Sequence, residues 1–284
     1  MGCRVCWFIV GCMKHQPHVG DLLREWRQRR RLSQLGLALD ADVSAKHLSF
    51  VETGRAQPSR EMVLRLAERL DVPLRQRNAL LLAAGFAPLY RERPLMDPAL
   101  QGARCAIDRL LAAHEPYPAL AVDRHWNMVL ANRLVAPLMA GVAADLATPP
   151  VNVLRLSLHP HGLAPRIVNH AQWRAHLLQR VQHQVEASGD AELAVLLDEL
   201  RDYPAPASHG ASDTSDEFAV DGVVVPLQLS TNAGVLSFFS ATTIFGSPVD
   251  VTLAEIAIES FFPADAQTGR TLEELAASVG RGSS

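Results

Sequence analysis

Long apolar runs are missing from this chain. None reaches the roughly 18 residues that span a bilayer, so no membrane helix and no membrane partner is expected. Cysteine is scarce: there are four in 284 residues, with Cys3, Cys6 and Cys12 crowded at the start and Cys105 alone. No disulfide framework can be drawn from that distribution, and a reducing cytoplasm is the expected compartment. Cys3-x-x-Cys6 lacks a second Cys or His pair at zinc spacing, so no metal is expected there. Residues 9–12 look like a lipoprotein cleavage box, but the apolar stretch before them, residues 5–10, is shorter than a signal core. Residues 1–17 are read as a disordered extension, with Met13 a candidate start. Catalytic signatures are lacking as well. There is no G-x-S-x-G, no H-E-x-x-H and no phosphate-cradling glycine loop, so neither an enzyme nor a cofactor is expected.

A strong charge of either sign is also missing, the net being −3. That average hides a split. Residues 18–82 hold 12 Arg and Lys against 8 Asp and Glu, a net of +4, whereas residues 83–284 hold 13 against 22, a net of −9. A basic block beside an acidic remainder implies two domains with different partners. The rest of the composition, 48% hydrophobic and 20% charged, is that of a soluble globular protein.

Residues 18–85 carry a dense helical pattern. Val19, Leu22, Leu23 and Trp26 fall on one face at i, i+3, i+4 and i+7. Ser33, Ser44 and Ser59 stand where N-caps belong, because a hydroxyl can accept a free N–H of a first turn. Gly54 and Gly85 stand where helices end, and a fifth helix is predicted over residues 73–84. Five short helices on loops of a few residues make an all-α domain.

Within it, Ser33 to Arg55 reads SQLGLALDADVSAKHLSFVETGR. Two short helices on a tight turn, with a third element ending Glu52-Thr53-Gly54-Arg55, form a helix-turn-helix pattern. Ser33-Gln34, Ala38, Val43-Ser44, Glu52 to Arg55 and Pro58-Ser59 together resemble the Xre and phage-repressor class, a lambda-repressor-like fold. Asp42 departs from that class, which usually has Gly at this turn, and Asp tolerates positive φ better than most residues. The resemblance implies double-stranded DNA as partner. It places Ala45, Lys46 and Ser49 toward base edges, and Gln34, Ser44, His47 and Arg55 toward phosphates. Phe50 is expected to be scaffold more than base contact, and Glu52 to pair with a nearby Arg. A net of +4 is modest, so a homodimer on two half-sites about 34 Å apart is expected.

Residues 86–104, with Pro88, Pro94, Pro98 and Gly102, are read as a linker whose early part packs on the helices. The domain over 105–266 reads as mixed, which makes the whole chain α+β. Residues 120–122 and 126–130 are β-like around Asp123-Arg124-His125, a hairpin pattern. Helices are predicted over 132–140, 171–187, 190–201 and 252–262, the last capped by Thr252 and stopped by Pro263. Residues 203–215 read as a loop, and residues 223–229 and 235–245 as strands. The tail over 267–284 has some helical pattern but ends in Gly-Arg-Gly-Ser-Ser and is expected to fray.

His159-Pro160-His161, with His170, His176 and His183, lacks an acidic or thiol partner, so metal is set aside in favour of solvated histidines. Asp123, Arg124 and His125 could serve as an acid/base set, although a polar turn is the simpler reading. The informative residues are apolar: Leu120, Val122, Trp126, Leu130, Trp173, Leu177, Val181, Phe238 and Phe239 could line a pocket or simply fill a core. The stretches AVDRHWNMVLAN, NVLRLSLHP and that from Val223 to Asp265 resemble the MmyB-like ligand-binding domain. That resemblance implies a PAS-like fold and a small apolar effector, with a fatty acid the ligand associated with the family. Arg124, His125 or Arg155 would then meet a carboxylate. The competing reading is a constitutive DNA-binding dimer whose second domain only dimerises or binds a protein partner.

Overall fold

Capping chemistry sets the N-terminal helices. The computed structural model describes residues 18–206, 225–246 and 248–281, and these divide into two units between Tyr90 and Arg91. The first unit holds α1 (Val19–Arg29), α2 (Gln34–Asp40), α3 (Ala45–Glu52), α4 (Arg60–Arg69) and α5 (Leu74–Ala83). Ser33, Ser44 and Ser59 accept from the amides of Gly36, His47 and Met62 at 2.9, 3.1 and 3.2 Å. Asp42 takes φ 52° in the α2–α3 turn, and Gly54 takes φ 71° after α3. Val19, Leu23, Leu37, Leu48, Val51, Leu66, Leu80 and Leu81 are buried together. A β-carbon on Gly20 would lie 2.2 Å from the Val51 carbonyl oxygen, so only glycine lets α1 pack so closely against α3. The early linker is stapled to α5: the Asn78 side chain accepts from the amides of Leu89 and Tyr90 and donates to the Tyr90 carbonyl.

The second unit opens with a 3-10 turn (Pro98–Leu100) running into α6 (Gln101–Ala113), so residues 101–104 belong to a helix and not to the linker. A hairpin of β1 (Ala119–Val122) and β2 (Met128–Ala131) follows, then α7 (Val135–Leu138), α8 (Val153–Leu158), α9 (His170–Ser188) and α10 (Ala191–Asp202). The chain ends in β3 (Leu227–Thr231), β4 (Gly234–Ile244), α11 (Val251–Ala254), β5 (Ala257–Pro263) and α12 (Ala266–Arg281). The five strands form one antiparallel sheet ordered β2-β1-β5-β4-β3. One face carries Leu120, Val122, Leu229, Leu236 and Phe238 against side chains of α8, α9 and α10. The other carries Ala119, Ala121, Ile256 and Ile258 against Ile107 and Leu111 of α6. Sheet and helices together give the α+β, PAS-like layout.

The hairpin motif is structural. Asp123 accepts from the amides of His125 and Asn127 at 2.8 and 2.9 Å, closing the turn. Trp126 sits at φ 66° with its indole buried and its Nε1 donating to Gln184 at 2.7 Å. The Asn132 side chain accepts from the Ala119 amide and donates to the Leu111 and Tyr117 carbonyls, welding α6 to β1.

Three expectations are corrected. Residues 252–262 do not form a helix. They hold the single turn α11, capped by Asp250, and then the central strand β5. A strand buried on both faces reads as a continuous apolar run, which periodicity cannot separate from a buried helix. The helix expected over 132–140 shrinks to α7, whose Pro137 has no N–H to continue the ladder. The tail, expected to fray beyond about 267, forms α12 as far as Arg281, with Leu272 and Thr268 wholly buried and the Thr268 hydroxyl accepting from the Ser237 amide at 3.0 Å. The extension over 1–17, the onset of the strand at Val223 and most of the loop over 203–215 lie outside the described residues.

Leu272→Ala should cost about 2–5 kcal/mol, since it removes a fully buried leucine from the main core of this unit. Denaturant unfolding of the full chain measures this. A loss under about 0.5 kcal/mol would mean that α12 is not part of the folded core.

Candidate functional site

The outer face of α3 is the first candidate. Ser44, Lys46, His47 and Arg55 are exposed, and Ala45 and Ser49 are half-exposed beside them. Leu48, Val51 and Glu52 turn inward. Every DNA-contact residue expected on α3 or just after it therefore lies at the surface. Phe50 is half-buried, with the Lys46 ammonium 5.8 Å from its ring centre. Its carbonyl accepts from the Arg55 and Ala56 amides at 2.8 and 3.1 Å, shaping the turn that carries Arg55.

Glu52 locks this surface from beneath. It is 2% exposed, and both oxygens are engaged. Arg27 grips it as a fork, Nε to Oε1 at 2.7 Å and Nη2 to Oε2 at 2.9 Å. The Gln34 amide donates to Oε2 at 2.8 Å, and Arg24 stands 3.6 Å away. One carboxylate thus joins α1, the start of α2 and the end of α3. Gln34, expected to hold phosphate, spends one N–H on this joint. Burial pushes the Glu52 carboxyl up, but hydrogen bonds from Arg27 and Gln34 and the charges of Arg27 and Arg24 outweigh it and hold it below its ordinary value.

The second candidate is a chamber of about 110 Å³ inside the second unit. Leu120, Trp126, Trp173, Leu177 and Phe238 line it, as expected from their residue types. Met128, Met139, Leu154, Leu156, Leu163, Leu227, Leu229 and Phe261 complete much of the wall. Val122 and Val181 are buried in the same core without lining the chamber. Leu130 packs on the opposite face of the sheet. Phe239 is 41% exposed and stacks on Phe262 at 5.4 Å, because alternation along β4 turns it away from Phe238.

None of the three expected carboxylate receptors lines the chamber. Arg124 and His125 sit in the hairpin turn and meet Asp190, the N-cap of α10, at 3.5 and 3.0 Å. Arg155 grips Glu199 through two bonds of 2.8 and 2.7 Å, and the Tyr203 hydroxyl donates to the same carboxylate. The hydrogen bond from Arg155 leads the causes that hold Glu199 below the usual carboxylate range.

The polar groups that do line the chamber are Arg180, Glu259, Ser157 and Ser240. Arg180 follows Trp173 and Leu177 on one stripe of α9 at i, i+4 and i+7, so helical periodicity alone could have found it. Glu259 was hidden by the helical reading of its segment. His159 and His161 meet edge-on with ring centres 5.4 Å apart, and His159 packs edge-on against Tyr203. Among the described residues no three His, Cys, Asp or Glu side chains converge as a metal would require, and no helix is long and apolar enough to cross a membrane.

Comparison with known proteins places these two sites. Residues 103–275 match the MmyB-like transcription regulator ligand binding domain. The chain belongs to the MmyB-like transcription regulators. Residues 18–80 match a helix-turn-helix domain, so the α3 face belongs to a DNA-binding unit and the chamber to a ligand-binding one. No curated protein matches the chain. A solved structure of an RNA-binding light-oxygen-voltage receptor aligns at 13% identity and a TM-score of 0.22, covering 93% of this chain. The chain spans 64% of that structure's length.

The Glu52 joint carries a pH signature. A folded carboxyl held below its ordinary 4.5 contributes stability in full above that value and loses it as pH falls through the folded value. Glu52→Gln should therefore be less stable than the parent at pH 7, and the gap should narrow as pH falls below 4.5 and through the folded value, because only the parent has a charge at this position to lose. Thermal unfolding of both full chains across that range measures it. A gap independent of pH would show that the Glu52 charge does not hold the joint.

Proposed function

We propose that this MmyB-like regulator is a homodimeric, Xre-type bacterial repressor or activator that works in the cytoplasm and whose affinity for its operator is set by a small apolar effector. What supports this reading is the pairing, in one chain, of an exposed α3 in a helix-turn-helix unit with an apolar chamber in a ligand-binding unit. Lys46 donates to guanine O6 or N7, Ala45 touches a thymine methyl, and Ser49 reaches a neighbouring base edge. Gln34, Ser44, His47 and Arg55 hold phosphates and set register. The modest +4 of residues 18–82 supports a dimer, because one copy neutralises few phosphates.

The effector class follows from the wall. Leucine, methionine and aromatic side chains suit an acyl chain, each buried methylene contributing about 0.8 kcal/mol. Fatty acids and their derivatives are therefore the proposed class, bound without a cofactor and without turnover. A volume of about 110 Å³ holds only a short chain or the end of a longer one. Met128 and Met139, flexible and polarizable, are the wall residues best able to yield to more. The effector acts only through its difference in affinity for the operator-competent and incompetent arrangements of the dimer.

Two measurements check this. Lys46→Ala should cost about 1–3 kcal/mol on the best operator and relax preference at one base pair of each half-site. Arg55→Ala should weaken binding to all sequences alike and lower the salt slope by about one. Loss of neither would remove α3 as the reading helix. Solvent extraction of the purified protein with mass spectrometry should release acyl compounds, and adding them back should change operator affinity at least about five-fold. A protein that carries none, and whose operator affinity ignores added acyl compounds, would leave only a constitutive dimer.

A further inference from the structure

The charged groups on the chamber wall are Arg180 and Glu259, and they are bound to each other. Glu259 lies on the central strand, in register with Leu120 on one side and Thr242 on the other. It is 4% exposed. Its Oε2 accepts from Arg180 Nη1 at 3.1 Å. Its Oε1 accepts from Arg180 Nη2 at 2.5 Å and from the Thr242 hydroxyl at 3.0 Å. The guanidinium also lies over the Trp126 ring, 4.6 Å from its centre. Cation and anion cancel, so the polar end of the chamber is neutral.

A free carboxylate entering here would set a second negative charge beside Glu259, with one guanidinium to serve both. In a desolvated site a like charge opposes ionisation and binding. His176, one turn before Arg180 on α9, supplies no second cation at neutral pH. Burial and the Arg180 charge push its imidazole below its ordinary pKa, against a smaller upward pull from Glu259. The pair keeps hydrogen-bonding capacity all the same: Oε2 accepts one bond and can take another, and one Nη1 hydrogen is not used by Glu259.

We infer that the chamber selects acyl compounds whose polar end is uncharged and both donates and accepts, such as a primary amide or an alcohol, over free fatty acids. This rests on the proposal that the chamber binds an acyl effector, and narrows it to a head-group class. Glu259 is the specificity residue, and Arg180 positions it.

The test is calorimetric titration of the full-length protein with hexanamide, 1-hexanol and hexanoate, extended to eight- and ten-carbon homologues. In the parent protein the amide and alcohol should bind at least about ten-fold tighter than the carboxylate of equal length. Glu259→Gln keeps the side-chain shape and one acceptor oxygen but leaves Arg180 as a net cation, so hexanoate should gain about ten-fold and lose its disadvantage. A parent that binds hexanoate as tightly as hexanamide overturns the inference, and so does a folded Glu259→Gln that keeps the parent's preference. If the variant fails to fold by circular dichroism, the parent series alone decides. If no compound of any length binds while operator binding is intact, the acyl-effector proposal itself falls, and this preference with it. That outcome is distinct from binding without preference.

Discussion

A buried carboxylate must find a cation, and both units of this chain are organised around that constraint. Removing a carboxylate from water costs several kcal/mol, recovered only when the geometry of the partner is good and the remaining lone pairs are satisfied. Glu52 meets the condition with the fork of Arg27 and the Gln34 amide. Glu259 meets it with the fork of Arg180 and the Thr242 hydroxyl. In the first unit the pair orients a surface, since α3 cannot rotate without breaking a joint shared with α1 and α2. In the second it closes the polar end of a cavity.

The two pairs differ in what surrounds them. Glu52 lies under a helix whose outer face is polar and exposed, so its work ends in positioning. Glu259 lies among Leu120, Trp126, Phe238 and Phe261, where Arg180 is the other charged group on the wall. There the pair decides which molecules can share the space. The same chemistry that anchors a DNA-reading helix becomes, in an apolar chamber, a means of discrimination.

Much of the first unit was legible in the residues. Serine caps, the Asp42 turn and Gly54 act within a few residues of themselves, so their signals survive without tertiary context. The second unit was legible in parts. Asp123, Trp126 and Asn132 marked the hairpin because they bond within or beside it. Residues 252–262 read as a helix because β5 packs on both faces, and its Ala, Ile, Glu and Phe do not alternate between water and core. The helical pattern conceals Glu259 as a wall residue. Arg124, His125 and Arg155 were plausible receptors by residue type, yet each is held by an acidic partner from α10 or its cap.

What the sequence by itself determined is local: where helices begin and end, which turn admits positive φ, which residue types can read a groove and which can line a cavity. Only the tertiary structure decided that β5 is the middle of the sheet, that α12 packs on it, and that Arg180 and Glu259 meet on the chamber wall. The two residues are 79 positions apart. Their pairing depends on strand order and helix placement, and no short-range pattern encodes either.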